Sequence, residues 1–405
     1  MPQSGSEGCQ TNAKGGEGDL TQQEIIRLVQ GATSLPHLMR LLRENGSDGV
    51  FDEWAIRYFI DVRARKRGIP FKGTFEITPF CNLDCKMCYV HLDKDQLCGK
   101  SPLPAETWET IMQEAIDAGM MYAALTGGEC LTSPDFDRLY LFLHSKGVQV
   151  AVLTNGVLLD EERIRFFKAH PPTSIQITLY GDSEDTYDRV TGHRRFERVM
   201  RNIRLADEVE LPLVLSVTPN KYLGDSDEAL VRCAASTGVQ FHVNSSLMTP
   251  REDTGRSDGF RDLVPEDYMR LFKLEKSLKG HLAPVECEAD PPAPNGDTTG
   301  EVLRGLRCGG GRSSFNVTWD GRVIPCNRLQ HLGVAWEDGR FLDAWRQINQ
   351  AAENYLLPIE CETCACRNAA RTCAASHQAA PGHADPEQCK WCRAMIKAGF
   401  AKLAE

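Results

Sequence analysis

The apolar positions fall into three regimes along the chain. From Leu20 to about Arg67 they recur three and four residues apart: Ile25, Ile26, Leu28 and Val29, then Leu38, Leu41 and Leu42, then Trp54, Tyr58, Phe59 and Val62. That is the stripe of amphipathic helices. It predicts a small helical N-terminal region within residues 1–70, either a cap packed on the next domain or a partner-docking module. Ahead of it, residues 1–18 are rich in Gly, Ser and Gln, and a disordered start is expected there.

From residue 71 to 246, short β-rich runs alternate with longer helical ones. The predicted strands are Thr74–Thr78, Met121–Leu125, Val148–Leu153, Ser174–Leu179, Leu213–Val217 and Gln240–Val243. Helices are predicted at Ala105–Ala118, Asp135–Ser145, Asp160–Ala169, Arg195–Val209 and Asp227–Thr237. Strands that each lead into a helix or long connection imply a parallel sheet with helical crossovers. Six units are too few to close an eight-stranded barrel. The expected α/β fold is therefore an open, partial (β/α)6 TIM-like barrel over residues 71–280, with its site in the loops at the C-terminal ends of the strands.

The third regime starts near residue 281. Residues 283–300 are rich in Pro, Asp and Gly and read as a linker or lid within a 281–307 segment. A Cys-rich domain is expected over residues 308–405. In it, Phe315–Ile324 reads as a β-hairpin turning on Asp320-Gly321.

Composition narrows the class. The 405 residues are 41% hydrophobic and 25% charged, an ordinary globular balance. No run of eighteen apolar residues is present, which argues against a membrane span. The first residues lack a basic stretch followed by an apolar one, so no secretory signal is expected and a cytoplasmic location follows by default. A net charge of −10, spread along the chain, speaks against a nucleic-acid partner.

The sixteen cysteines change the picture. In a reducing cytosol they point to metal ligation or redox chemistry rather than disulfides. Three stand together at Cys81, Cys85 and Cys88. Eight more follow residue 300: Cys308, Cys326, Cys361, Cys364, Cys366, Cys373, Cys389 and Cys392. Cys9, Cys98, Cys130, Cys233 and Cys287 are scattered.

Cys81-Asn-Leu-Asp-Cys85-Lys-Met-Cys88-Tyr89 is a C-x3-C-x2-C loop directly after the first predicted strand. Soft thiolates at this density suit an iron–sulfur cluster or zinc. A structural zinc site would close with four protein ligands, with His91 the available fourth. A cluster held by three thiolates keeps one iron open to another ligand.

The loop, its place after the first strand and the aromatic Tyr89 resemble the radical SAM superfamily. The resemblance implies a [4Fe–4S] cluster on Cys81, Cys85 and Cys88. It also implies S-adenosylmethionine bound at the open iron and cleaved to a 5′-deoxyadenosyl radical, which takes a hydrogen atom from substrate. Gly127-Gly128-Glu129 resembles the family's GGE motif, expected to meet the cofactor's amino group. Cys130 stands where Pro is usual. Thr154-Asn155-Gly156 resembles its TNG turn, which brings Asn155 into the cofactor site. Thr178 keeps a hydroxyl at the end of the fourth strand, while Tyr180 stands where relatives often have Asp. Thr191 occupies the place of an Arg that meets the cofactor carboxylate, with Arg189, Arg194 or Arg195 as substitutes. Tyr89, Gly127, Gly128, Glu129, Asn155 and Thr178 are thus the expected cofactor contacts.

In the tail, Cys308, Gly321 and Cys326 resemble the opening of the SPASM domain, which carries auxiliary clusters in many peptide-modifying relatives. Cys361 and Cys364 continue it, but Ala370 and Ala374 stand where further cysteines are expected, with Cys366 and Cys373 displaced nearby. By analogy, Cys308, Cys326 and Cys373 would serve one auxiliary [4Fe–4S] cluster, and Cys361, Cys364, Cys366 and Cys389 a second, with Cys392 spare or the missing eighth. A zinc-ribbon-like tail is the alternative. The Gly309–Gly311 run is expected to let the chain wrap a cluster.

Three functions follow from the resemblance. The first is maturation of a ribosomally made precursor peptide by a thioether or C–C crosslink or a side-chain oxidation. It would use an electron donor such as flavodoxin or ferredoxin. The second is protein modification resembling that of sulfatase maturases. The third is an electron carrier or sensor without substrate, against which the GGE and TNG loops argue.

Overall fold

The computed structural model describes residues 22–46, 52–97, 99–244, 265–279, 305–306 and 308–358, with short stretches between 378 and 393. The Gly/Ser/Gln-rich start, the 283–300 linker or lid, and Cys361, Cys364, Cys366, Cys373 and Cys392 lie outside the described residues. The chain divides into two compact units, Met1–Arg63 and Ala64–Glu405.

In the first unit, α1 (Gln22–Gly31), α2 (Leu35–Glu44) and most of α3 (Asp52–Arg67) carry the predicted helical stripe. Ile25, Val29, Leu38, Leu42, Ala55, Tyr58 and Phe59 form its core. Ser34 caps α2 by accepting from the His37 N–H. The Arg63 guanidinium donates to the carbonyls of Ala32 and Thr33.

The second unit is built on six parallel strands, β1 (Lys72–Glu76), β2 (Tyr122–Thr126), β3 (Gln149–Thr154), β4 (Ser174–Leu179), β5 (Leu213–Val217) and β6 (Phe241–Val243). They lie side by side in sequence order, each hydrogen-bonded to the next. The connections hold α4 (Ala105–Asp117), α5 (Phe136–Ser145), α6 (Glu161–Ala169), α7 (Glu184–Thr191), α8 (Phe196–Glu208) and α9 (Asp227–Ser236), with α10 (Pro265–Lys279) after β6. The sheet does not close. This is the open partial barrel that the β/α alternation predicts. Among the described residues, no helix is long and apolar enough to cross a membrane.

Strand β4 shows how the sheet positions a site. Ile175, Ile177 and Leu179 are fully buried on one face. The period of two then turns Gln176 and Thr178 to the other face.

Two segments depart from the sequence reading. Asp188–Gly192, outside the predicted helices, is the last turn of α7 and its cap. Gly192 takes the left-handed conformation at φ 70°, which ends helices at low cost for glycine. Ser183 and Thr186 form a capping box at the other end. The second departure is the Asp-Gly hairpin. It forms as predicted, with β7 (Ser314–Val317) antiparallel to β8 (Arg322–Ile324) and Gly321 at φ 85°. It also continues the barrel sheet, because β7 pairs in parallel with β1, Lys72 opposite Ser314 and Phe75 opposite Val317. With β9 (Val334–Ala335) the sheet reaches nine strands, in the order β6-β5-β4-β3-β2-β1-β7-β8-β9. Phe315 explains the seam. It meets Phe75 edge-on at 6.0 Å and packs on Phe341 (4.9 Å) and Trp345 of α11 (Phe341–Glu353).

Candidate active site

The cysteine loop leaves β1 and is fastened by backbone bonds to two neighbours. Asp84 N–H donates to the Thr191 carbonyl (2.9 Å) and Lys86 N–H to that of Val190 (3.0 Å), so the loop sits on the C-terminal turn of α7. On its other side, Gly128 N–H donates to Thr78 O and Glu129 N–H to Phe80 O, both at 2.8 Å. This close approach is why glycines stand there. A Cβ on Gly128 would lie 2.2 Å from the Phe80 carbonyl oxygen, and Gly127 takes φ 152° with room for a Cβ only 2.3 Å from Thr78 O.

One pocket results. Its walls include Cys81, Cys85 and Cys88, then Tyr89, Gly127, Gly128, Glu129, Asn155 and Thr178, so the structure brings every residue expected at the catalytic cluster and cofactor site together. Met87, Gln176, Tyr180, Ser216, Thr218 and Asn244 also line it. Of these, Gln176, Ser216, Thr218 and Asn244 were missed by sequence reasoning. Their signal is faint but real: polar side chains at alternate positions of otherwise apolar strand ends.

Glu129 is 1% exposed and holds the wall together. Its carboxylate accepts from the Thr154 hydroxyl (2.8 Å), Leu131 N–H (3.0 Å) and Asn155 N–H (2.7 Å). Burial pushes its pKa above the ordinary carboxylate value, against the pull of those donors. Asn155 in turn donates from its amide to Asn82 Oδ1 (2.7 Å) and toward Cys81 Sγ (3.7 Å). The TNG turn, the GGE loop and the cysteine loop are thus one connected frame.

The thiols lie in that frame as soft donors. Cys81 Sγ accepts from Leu83 N–H (3.4 Å) and Cys88 Sγ from His91 N–H (3.2 Å). Burial, with the Glu129 carboxylate adding to it, pushes the Cys81 thiol up to about 12. Loading this site therefore displaces a proton that the free protein retains. His91 does not join the thiols through its ring. The ring lies between Asp84 (3.8 Å) and Asp93 (3.7 Å). Among the described residues, no three His, Cys, Asp or Glu side chains form a set that could grip a single metal ion. Three thiols spaced around one pocket suit a cluster, whose irons take separate sulfurs.

The three arginines suggested as substitutes do not line the pocket. Arg189 donates to the carbonyls of Tyr222 (2.7 Å) and Leu223 (2.6 Å), and Arg194 pairs with Asp185 at the surface. The pocket lining at the strand ends is neutral and polar. Cys130 lies beneath the wall, fully buried, and donates to the Leu153 carbonyl (3.3 Å).

In the tail, Cys308 Sγ and Cys326 Cβ both lie within 4 Å of where a Cβ on Gly310 would stand, 3.6 and 3.8 Å away. The glycine run closes on itself, with Arg312, Ser313 and Ser314 N–H all donating to the Gly309 carbonyl at 2.8 Å. Cys389 is half-buried.

Residues 75–235 match the model of the radical SAM superfamily. That span is a radical SAM domain. The chain is 25% identical over 305 residues to the sporulation killing factor maturation protein SkfB of Bacillus subtilis (strain 168), covering 74% of this chain and 69% of that one. It is 26% identical over 324 residues to the PqqA peptide cyclase of Ruegeria pomeroyi, covering 73% and 79%. Among solved structures, Streptococcus suis SuiB bound to S-adenosylmethionine superposes with a TM-score of 0.62 at 18% identity, covering 87% of this chain and 86% of that one. Radical SAM enzymes use a [4Fe–4S] cluster and S-adenosylmethionine, and the residues here fit both. Three thiols share the pocket, a glycine edge admits close approach, and hydroxyl and amide groups line the strand ends.

Proposed function

We propose that this radical SAM enzyme matures a ribosomally made precursor peptide by forming a thioether or C–C crosslink or by oxidising a side chain. When bound, the cluster and S-adenosylmethionine supply hydrogen-atom abstraction from unactivated C–H bonds. Cys81, Cys85 and Cys88 hold the cluster. Gly127 and Gly128 let the cofactor approach the backbone. Thr178, with Gln176, Ser216, Thr218 and Asn244, offers it hydrogen bonds from the inner face of the sheet. The wall of Met87, Leu153 and Tyr180 keeps water from the reacting centre. Cys308 and Cys326 begin an auxiliary cluster site, and a flavodoxin or ferredoxin in the cytoplasm supplies the electron.

The observation that carries the reading is the convergence of the three thiols, the GGE loop and the polar strand ends on one pocket. Support for a peptide substrate comes from the relatives, one a maturation protein and one a peptide cyclase.

Anaerobic reconstitution tests it. Iron and sulfide are counted per chain, and 5′-deoxyadenosine is followed after adding S-adenosylmethionine and dithionite. About twelve irons with cleavage means three clusters, and about eight means one auxiliary cluster, at four irons each. A short peptide encoded beside the gene should then lose a pair of hydrogens for each crosslink. Zinc in place of iron, with no cleavage, overturns the reading.

A further inference from the structure

Asn155 stands at the end of β3, 5% exposed, on the wall of the cysteine pocket. Its side chain is committed in three directions. Oδ1 accepts from Val157 N–H at 3.0 Å, closing a turn over Gly156. That bond fixes which way the amide faces, because the Val157 N–H needs an acceptor. Both hydrogens of Nδ2 are then directed at the cysteine loop. One goes to Asn82 Oδ1 (2.7 Å) and the other to Cys81 Sγ (3.7 Å). A side-chain amide has two hydrogens to give, and both are spent. None is left to offer a cofactor in the pocket.

Cys81 Sγ changes role when the site is loaded. As a thiol it carries its own hydrogen, which faces Asn82 Oδ1 at 3.8 Å. Metal ligation takes the thiolate, so that hydrogen leaves and the sulfur becomes an acceptor alone. Two donors already face it, Leu83 N–H (3.4 Å) and the Asn155 amide. The first belongs to the backbone of the loop itself. The second reaches in from the end of another strand, and side-chain identity decides whether it is there.

We propose that Asn155 serves the catalytic cluster rather than the cofactor, its amide donating to the Cys81 sulfur and so raising the reduction potential of the cluster. The inference rests on the reading of Cys81, Cys85 and Cys88 as cluster ligands. One-electron reduction adds negative charge that the ligand sulfurs share. A donor at such a sulfur stabilises the reduced state more than the oxidised one. Asn155 acts through Cys81.

The test is Asn155→Ser in the full-length enzyme after anaerobic reconstitution. A serine hydroxyl still accepts from the N–H two residues on, but is too short to reach Cys81. Iron per chain should match wild type. An EPR-monitored redox titration of the cluster whose signal responds to S-adenosylmethionine should give a more negative midpoint. The sign separates a lost donor from a leak of water, since greater solvent exposure favours the more charged, reduced state and raises the potential. Asn82→Ala is the comparison. It removes an acceptor beside Asn155 and no donor to the sulfur, so its midpoint should not fall. An unchanged or higher midpoint in Asn155→Ser overturns the proposal. An equal fall in Asn82→Ala does so too, by assigning the effect to the frame of the loop. Loss of iron from Asn155→Ser would make the side chain a tether of the loop and likewise overturn it. If wild type itself shows no reducible cluster responding to S-adenosylmethionine, the reading of the cysteine loop fails instead.

Discussion

Tyr89 accepts a hydrogen bond at 3.1 Å from the side-chain amide of Asn327, a residue 238 positions away. Tyr89 follows Cys88 and Asn327 follows Cys326, so one bond ties the catalytic cysteine loop to the first tail cysteines. Asn327 is held for this by Asn316 of β7, which donates to its Oδ1 at 2.9 Å. The link exists because β7 pairs with β1, the strand that feeds the loop.

Asn327→Ala should cost about 1 kcal/mol of stability in the cluster-free protein for each half-buried bond lost. A double-mutant cycle with Tyr89→Phe, followed by urea unfolding, checks this. The two substitutions should be less than additive, because they remove the same contact.

Glu129→Gln should destabilise the protein by about 2 kcal/mol or more. A carboxylate here accepts three hydrogen bonds, and an amide must turn a donor toward a donor, leaving buried N–H or O–H groups unpaired. Thermal melting of the cluster-free protein reads the loss without requiring any cofactor. Binding of S-adenosylmethionine to the reconstituted variant should weaken as well, since the same wall lines the pocket.

Gly128→Ala should be as damaging as its volume change is small. The added methyl meets a backbone carbonyl, which cannot turn aside as a side chain could. The strain expected is about 1–3 kcal/mol. The β1 and β2 loops must part to relieve it, so iron uptake at the cysteine loop should fall while the fold persists by circular dichroism.

The pH dependence has a defined sign at His242 on β6. Burial, with the Lys279 cation adding to it, lowers its pKa below the ordinary value of 6.5. Below that value the unfolded chain binds a proton that the folded chain refuses, so stability is lost as pH falls through the range under about 6.5. His242→Gln should flatten this part of the acid limb. Urea midpoints of wild type and variant on the two sides of that pH measure the difference.

Much of the fold was legible because it is local. Strands Ser174–Leu179 and Leu213–Val217 match their predicted ends, and the other elements differ by a residue or two. The hydrophobic period is read off the chain itself, and caps and glycines fix the ends. Helix α7 was missed because its eight residues are rich in charge and carry a weak apolar stripe. Its boundaries come from the capping box and Gly192.

By itself the sequence determined the β/α order, the place of three thiols after the first strand, and the glycine pair that follows the second. These follow from short-range sterics and from the chemistry of the residues. The tertiary structure alone decided which polar side chains face the pocket, since Gln176, Ser216, Thr218 and Asn244 lie on separate strand ends that only sheet register brings together. It also decided that Arg189 serves the Tyr222–Leu223 turn and that β7 joins β1. Such choices depend on what lies across the sheet or across the core, and pairing between distant segments leaves no period in the chain to read.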